Sequence, residues 1–246
     1  MANNLEWKKG TIEHPLMPEG GRSLDDYEKT LGFRRQDLEG IRVLDLGCGP
    51  EIKLARGLKN AKIDADVVSL SPDFSIENHR LLVKRFAQEY GLVAGIGQDM
   101  PFKDNRFDRV LCLNTYDHLP SKRAFVEMVL EIFRVMKDGG IALIGPFETF
   151  PDEENKRSNF GINPAYEFLM KSAEIKELLK NDAIRIHQKE VARSGLRKTI
   201  NSKNGKNFFS PIYRIVVEKG RDDDCDSNIF WNCFEKLKKL LYRKNK

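Results

Sequence analysis

Residues 43–51, VLDLGCGPE, place an acid, Asp45, two positions ahead of a glycine pair, Gly47 and Gly49, with Cys48 between them. Glycines let a backbone approach a ligand closely, and a helix starting just behind them presents unpaired N–H groups. Two kinds of ligand loop are set aside by the spacing. A dinucleotide loop needs a third glycine where Ile52 stands, and a nucleoside triphosphate loop needs a Gly-Lys-Ser/Thr run that is absent here. A second cluster is NTYDHLP, residues 114–120, where His118 stands beside Tyr116 and Asp117. An imidazole there is a candidate general base for an acceptor that must lose a proton. Glu148 is a weaker candidate for the same task, and Glu51 reads as a solvent-facing acid favoured by a helix start.

The elements around these residues alternate. SLDDYEKTL starts with Ser23 and Asp26 as a capping pair and puts Leu24, Tyr27 and Leu31 on one helical face. IRVLDLG is a buried strand, and PEIKLARGL a helix opened by Pro50. ADVVSL is a second strand, followed by a helix over 71–91 with Ser71 as its cap. LVAGIG and RFDRVLCLN are strands. The run 121–140 is an amphipathic helix stopped by a glycine pair, with the strand IALIGPF after it. Continuous apolar strands alternating with helices predict a doubly wound α/β domain with a mostly parallel sheet.

The end of the chain departs from that alternation. Residues 163–180 read as one helix, whereas AIRIHQKEVA and NFFSPIYRIVVEK are strands joined through NSKNGKN, an antiparallel hairpin. The expected organisation is an N-terminal helical extension or lid (1–40), the α/β domain (41–220), an acidic linker (221–228) and a basic amphipathic helix (229–246).

Charge supports that division. The chain carries a net +5, but residues 229–246 alone hold six Lys or Arg against one Glu, so the remainder is balanced. A neutral body gives no footprint for nucleic acid. The basic helix, with Phe230, Phe234, Leu237 and Leu241 on one face, suits an anionic membrane surface or a protein partner. The four cysteines have neither metal-site nor disulfide-framework spacing, and no stretch approaches the roughly 18 apolar residues of a membrane span. A cytoplasmic protein without a metal is expected, peripheral at a membrane if its last helix docks there.

Four stretches in order resemble one family. VLDLGCGPE is similar to the first motif of the class I S-adenosylmethionine-dependent methyltransferases, and VVSLSPDF resembles their second. IGQDMPFKDNRFDRVLCLNTYDHL looks like the family's stretch with an acid, a Pro-Phe pair and a Phe-Asp opening strand four. EIFRVMKDGGIALI is similar to the R-x-L-K-P-G-G run before strand five; together these cover about residues 35–145. The resemblance implies a seven-stranded Rossmann-like sheet and S-adenosyl-L-methionine as cofactor. Asp45, Gly47, Cys48 and Gly49 would surround its methionine part, Asp99 would accept from the adenine amino group beside Met100, and Asn114 would lie near the acceptor channel.

At the end of strand two the family usually carries an acid for the ribose hydroxyls. Ser69, followed by Leu70, falls there; of the nearby acids, Asp66 lies three residues back along the strand, and Asp73, in the first turn of the next helix, reads as a dipole-favoured acid that could also swing across to the ribose. A serine lacks the charge, a loss worth about 1–3 kcal/mol. The stretch 147–163, with the N-terminal helix, is expected to cover the acceptor. NTYD is not the Asn/Asp-Pro-Pro-aromatic motif of adenine or glutamine amino methylation, and no Pro-Cys nucleophile is present. The expected reaction is methylation of oxygen or nitrogen on a small-molecule, lipid or glycan-type acceptor. The alternative is a methyltransferase-like binding domain with weak cofactor affinity, acting through its last helix.

Overall fold

The computed structural model describes residues 23–76, 80–148, 164–180, 183–193 and 211–220. The NSKNGKN turn, the acidic linker, the basic helix 229–246 and most of 147–163 lie outside the described residues. In chain order the elements are α1 (Leu24–Leu31), β1 (Arg42–Leu46), α2 (Lys53–Asn60), β2 (Asp66–Ser71), α3 (Arg80–Ala87), β3 (Gly91–Ala94), β4 (Phe107–Leu113), α4 (Lys122–Val135), β5 (Met136–Glu148), α5 (Pro164–Lys171), α6 (Ala173–Lys180), β6 (Ile184–Arg193) and β7 (Pro211–Lys219).

The seven strands form one sheet in the order β3-β2-β1-β4-β5-β7-β6. β1 to β5 pair in parallel, and β7 runs antiparallel between β5 and β6. This is the expected mostly parallel, doubly wound sheet with its antiparallel hairpin. The centres of β1, β4 and β5 are largely apolar because both faces of the sheet are covered there. One face packs Leu44, Val110, Ala142 and Val217 against α4, α5 and α6. The other packs Val43, Leu111, Leu143 and Val216 against α1 and α2.

Helix α1 is built as its sequence predicts. The Ser23 hydroxyl accepts from the Asp26 N–H, the Ser23 N–H donates to the Asp26 carboxylate at 2.7 Å, and Gly32 closes the helix at φ 63°. Arg214 of β7 donates to the carbonyls of Leu31 and Gly32, pinning the helix end to the hairpin. Leu24, Tyr27 and Leu31 of this helix are buried in the core on one face of the sheet.

Several boundaries differ from expectation. Pro50 does not open α2, which begins at Lys53 behind Ile52. The predicted helix over 71–91 is a 3-10 turn, Pro72–Ser75, followed by α3 from Arg80, because Ser71 caps the turn by accepting from the Asp73 N–H at 3.2 Å. Residues 164–180 form two helices, since the Ser172 hydroxyl accepts from Ile175 N–H and starts α6 afresh.

The predicted helix over 121–140 ends at Val135, and β5 begins at Met136. Lys219, only 4% exposed, explains the early switch: its ammonium donates to the Met136 carbonyl at 2.9 Å and pairs with Asp138 at 3.3 Å. The glycine pair then lies in a sheet irregularity, with Gly139 at φ 74°.

Candidate functional site

The strand order reverses between β1 and β4, and ligands of open α/β sheets collect at the carboxyl ends of such strands. Gly47 leaves β1 at φ 74°, and its N–H donates to the Leu70 carbonyl at 2.8 Å, so the loop bends over the end of β2. Thr115, just after β4, donates its hydroxyl to the Leu46 carbonyl at 3.0 Å. A Cβ on Gly47 would stand 2.1 Å from that hydroxyl oxygen, so glycine is required by close approach as well as by φ. Asn114 turns the chain at φ 56° and donates its N–H to the Gly145 carbonyl at 2.7 Å. The carboxyl ends of β1, β2, β4 and β5 are thereby tied together.

The outer side of the loop is open: a Cβ at Gly49, φ 66°, would meet nothing within 4 Å. Glu51 points away from it, pairing with Lys53 at 2.7 Å with its side chain 55% exposed. Ile52 is wholly buried at φ 46°, a left-handed conformation costing a β-branched residue about 1–3 kcal/mol. The isoleucine thus adopts the backbone shape that a third glycine would supply.

Beneath the loop Asp45 is fully buried and accepts from the Tyr27 hydroxyl at 3.0 Å. Its register partner on β2 is Ser69, also fully buried. Ser69 does not end its strand as expected; β2 continues to Ser71, and the Ser69 Oγ has no well-formed hydrogen bond, only the weak Cys48 thiol nearby. Burial, followed by the charge of Asp45, pushes the Cys48 thiol well up, so it is an inert packing group beside Ile52 and Phe86. Asp73 is half-buried in the turn after β2, and its charge is also felt at that thiol.

The next loop carries the other predicted residues. Asp99 is exposed, its N–H bonded to the Ile96 carbonyl at 3.4 Å, while Met100 is buried in the main core. Glu131 and Arg134 of α4 hold this loop from below. The Glu131 carboxylate accepts from Met100 N–H at 2.8 Å, and the Arg134 guanidinium donates to the carbonyls of Met100 at 2.9 Å and Phe102 at 2.6 Å.

His118 is exposed on the 3-10 turn Tyr116–His118, its N–H donating to the Thr115 carbonyl at 3.1 Å. Tyr116 is half-buried, with its ring edge-on to Phe125 at 4.9 Å and Phe147 at 5.1 Å. Burial, then the neighbouring Asp117 charge, raises its phenol pKa.

Residues 44–144, from β1 through most of β5, match the family model described as "Methyltransferase domain". The matched segment is similar to a methyltransferase domain, and the sheet around it has the seven-stranded Rossmann-like methyltransferase fold. A sterol 24-C-methyltransferase of Yarrowia lipolytica is 32% identical over 139 residues, 54% of this chain and 34% of its own length. A fatty-acid O-methyltransferase of Mycolicibacterium smegmatis is 33% identical over 125 residues, 49% of this chain and 42% of its own. Among solved structures, a SAM-dependent methyltransferase of Methanosarcina mazei aligns at TM-score 0.47 and 16% identity, covering 74% of this chain and 94% of that one. The chain spans about a third of the length of the sterol methyltransferases it matches.

Within the matched segment, the fold brings Asp45, Gly47, Cys48, Gly49, Leu70 and Asn114 to the switch point. Asp99 and His118 stand on separate loops, and Met100 belongs to the core. Sequence reasoning missed Thr115, the Tyr27 to Asp45 bond and the clamp from α4, since each joins residues distant in the chain. A groove of about 440 Å³ lined by Lys59, Lys62, Asp64, Glu89 and Tyr90 lies at the amino ends of β2 and β3, away from this site. Among the described residues no cluster of metal ligands occurs and no helix is long and apolar enough to cross a membrane.

Proposed function

We propose that this chain is an S-adenosyl-L-methionine-dependent methyltransferase acting at oxygen or nitrogen of a small-molecule or lipid acceptor. The observation that carries the reading is the Asp45-Gly47-Gly49 loop. It stands at the switch point of a methyltransferase domain, and the space beside Gly49 is open, which fits a donor whose amino-acid end lies against backbone. When bound, the donor supplies a methyl group already activated by its sulfonium.

The chain's own work is alignment and exclusion of water. The loop and Asp45 hold the methionine end, and Asp99 accepts from the adenine amino group. Asp73 takes the ribose hydroxyls in place of Ser69, whose hydroxyl is buried within β2. Asn114 and the Tyr116 ring border the acceptor. His118, exposed at that rim, accepts the proton when a hydroxyl or ammonium acceptor must lose one.

A lipid-type acceptor is supported by the relatives, which methylate sterols at carbon 24 or fatty acids at oxygen. The basic segment 229–246 is proposed to dock on an anionic membrane surface, and vesicle co-sedimentation unchanged by its deletion would remove that part. Incubating the protein with labelled donor and panels of fatty acids, hydroxylated lipids and small amines tests the acceptor class; transfer to none of them contradicts the reading. A second reading, a scaffold with weak cofactor affinity, is favoured by one observation: β2 carries the buried Ser69 where an acid is usual.

A further inference from the structure

Glu131 and Arg134 lie one turn apart near the end of α4 and make a bidentate pair: Arg134 Nε reaches Glu131 Oε1 at 2.8 Å and Arg134 Nη2 reaches Oε2 at 2.7 Å. Both are largely shielded, with the Arg134 side chain 12% and the Glu131 side chain 19% exposed. An exposed pair at this spacing would do little beyond decorating a helix. Here every remaining polar atom of the guanidinium fork is aimed at one loop. Arg134 donates to Met100 O, Phe102 O and the Asp104 carboxylate at 2.7 Å, and Glu131 accepts from Met100 N–H.

The loop from Asp99 to Asp104 is otherwise held by the buried Met100 side chain and by Phe102 stacking edge-on to Phe107 at 5.0 Å, neither of which fixes the backbone polar groups of Met100. It leaves β3 through Ile96 and a tight turn at Gly97, where a Cβ would stand 2.8 Å from Met128 of α4. Asp99 itself is exposed at the tip, tethered by one long backbone bond to Ile96. Its backbone position is therefore set by the residue after it, whose N–H and C=O are both gripped by α4.

We infer that Glu131 and Arg134 are positioning residues for the donor site, fixing the Asp99–Met100 backbone so that the Asp99 carboxylate meets the base end of the donor. This rests on the methyltransferase reading and deepens it: the two residues touch neither donor nor acceptor and act through the loop. Arginine is required because a planar fork contacts two carbonyls and two carboxylates at once, which a lysine ammonium cannot do.

The test is calorimetry with S-adenosylhomocysteine on the full chain and on Arg134→Gln, Arg134→Lys, Asp99→Ala and the Asp99→Ala/Arg134→Gln double variant, with thermal melts alongside. Arg134→Gln is expected to weaken binding roughly tenfold, and the double variant to bind within about twofold of Asp99→Ala alone. A purely structural arginine would lower affinity by the same factor in both backgrounds, and that result overturns the inference. Arg134→Lys, which keeps a cation beside Glu131 and Asp104, covers the case in which Arg134→Gln fails to fold; it too must lose affinity while melting as a folded protein. Unchanged affinity in a folded Arg134 variant, with the wild type binding, refutes the clamp alone. No binding by the wild type refutes the methyltransferase reading and the clamp with it.

Discussion

The Tyr27 hydroxyl of α1 donates to Asp45 of β1 at 3.0 Å, with both side chains out of contact with water. A helix that precedes the sheet in the chain is thereby tied to the end of β1, where the donor is proposed to bind. Removing that hydroxyl takes a donor from a buried carboxylate, a change worth about 1–3 kcal/mol. Tyr27→Phe is expected to lower stability by that amount in urea denaturation and to weaken S-adenosylhomocysteine binding. Unchanged stability and affinity would show that α1 only packs.

The two glycines of the loop should behave differently. Gly47→Ala combines a left-handed backbone with a collision against Thr115, and is expected to cost about 2–4 kcal/mol in thermal or urea unfolding. Gly49→Ala meets open space, so its cost is confined to the backbone, about 1–2 kcal/mol. It should fold yet bind S-adenosylhomocysteine more weakly, because the new methyl group intrudes where the ligand would lie. Equal stability of the two variants would contradict the Thr115 contact.

Asp73 is proposed to take the ribose contact. Asp73→Asn is expected to weaken S-adenosylhomocysteine binding roughly tenfold, while Ser69→Ala changes it by less than about twofold. The reverse order in calorimetry would return the role to Ser69 and require its buried hydroxyl to become exposed.

Acid stability depends on Glu174 at the start of α6. Burial alone would raise its pKa, but the Ser172 hydroxyl and the Arg123 guanidinium hold it down at about 2. Its folded value lies below its unfolded one, so its contribution is complete above the ordinary carboxylate range. That contribution fades as the pH falls through that range toward the folded value. Arg123→Gln removes one of these partners and should make urea stability fall less steeply between neutral pH and about pH 3. Parallel profiles for the two proteins would refute this role.

What the sequence made legible was local or periodic. The Ser23 and Asp26 capping box, the apolar strands and the Gly47 and Gly49 loop each sit within a few residues, and the structure repeats them. The start of β5 was not legible. EIFRVMKDGG is helix-compatible throughout, and the partner of the Met136 carbonyl is Lys219, 83 residues away. Ile52 hid a glycine-like conformation behind a β-branched side chain, since tertiary burial overrides its preference. Thr115, Arg134 and the bond from Tyr27 to Asp45 were invisible for the same reason: each acts on a segment contributed by another part of the chain.

The open loop at the end of β1 is proposed to hold a methyl donor. Isothermal calorimetry of the full chain with S-adenosylhomocysteine tests this most directly. One site per chain is expected, with affinity weakened by Asp99→Ala and by Gly49→Ala. No detectable heat at millimolar ligand, from protein that melts cooperatively, would contradict it.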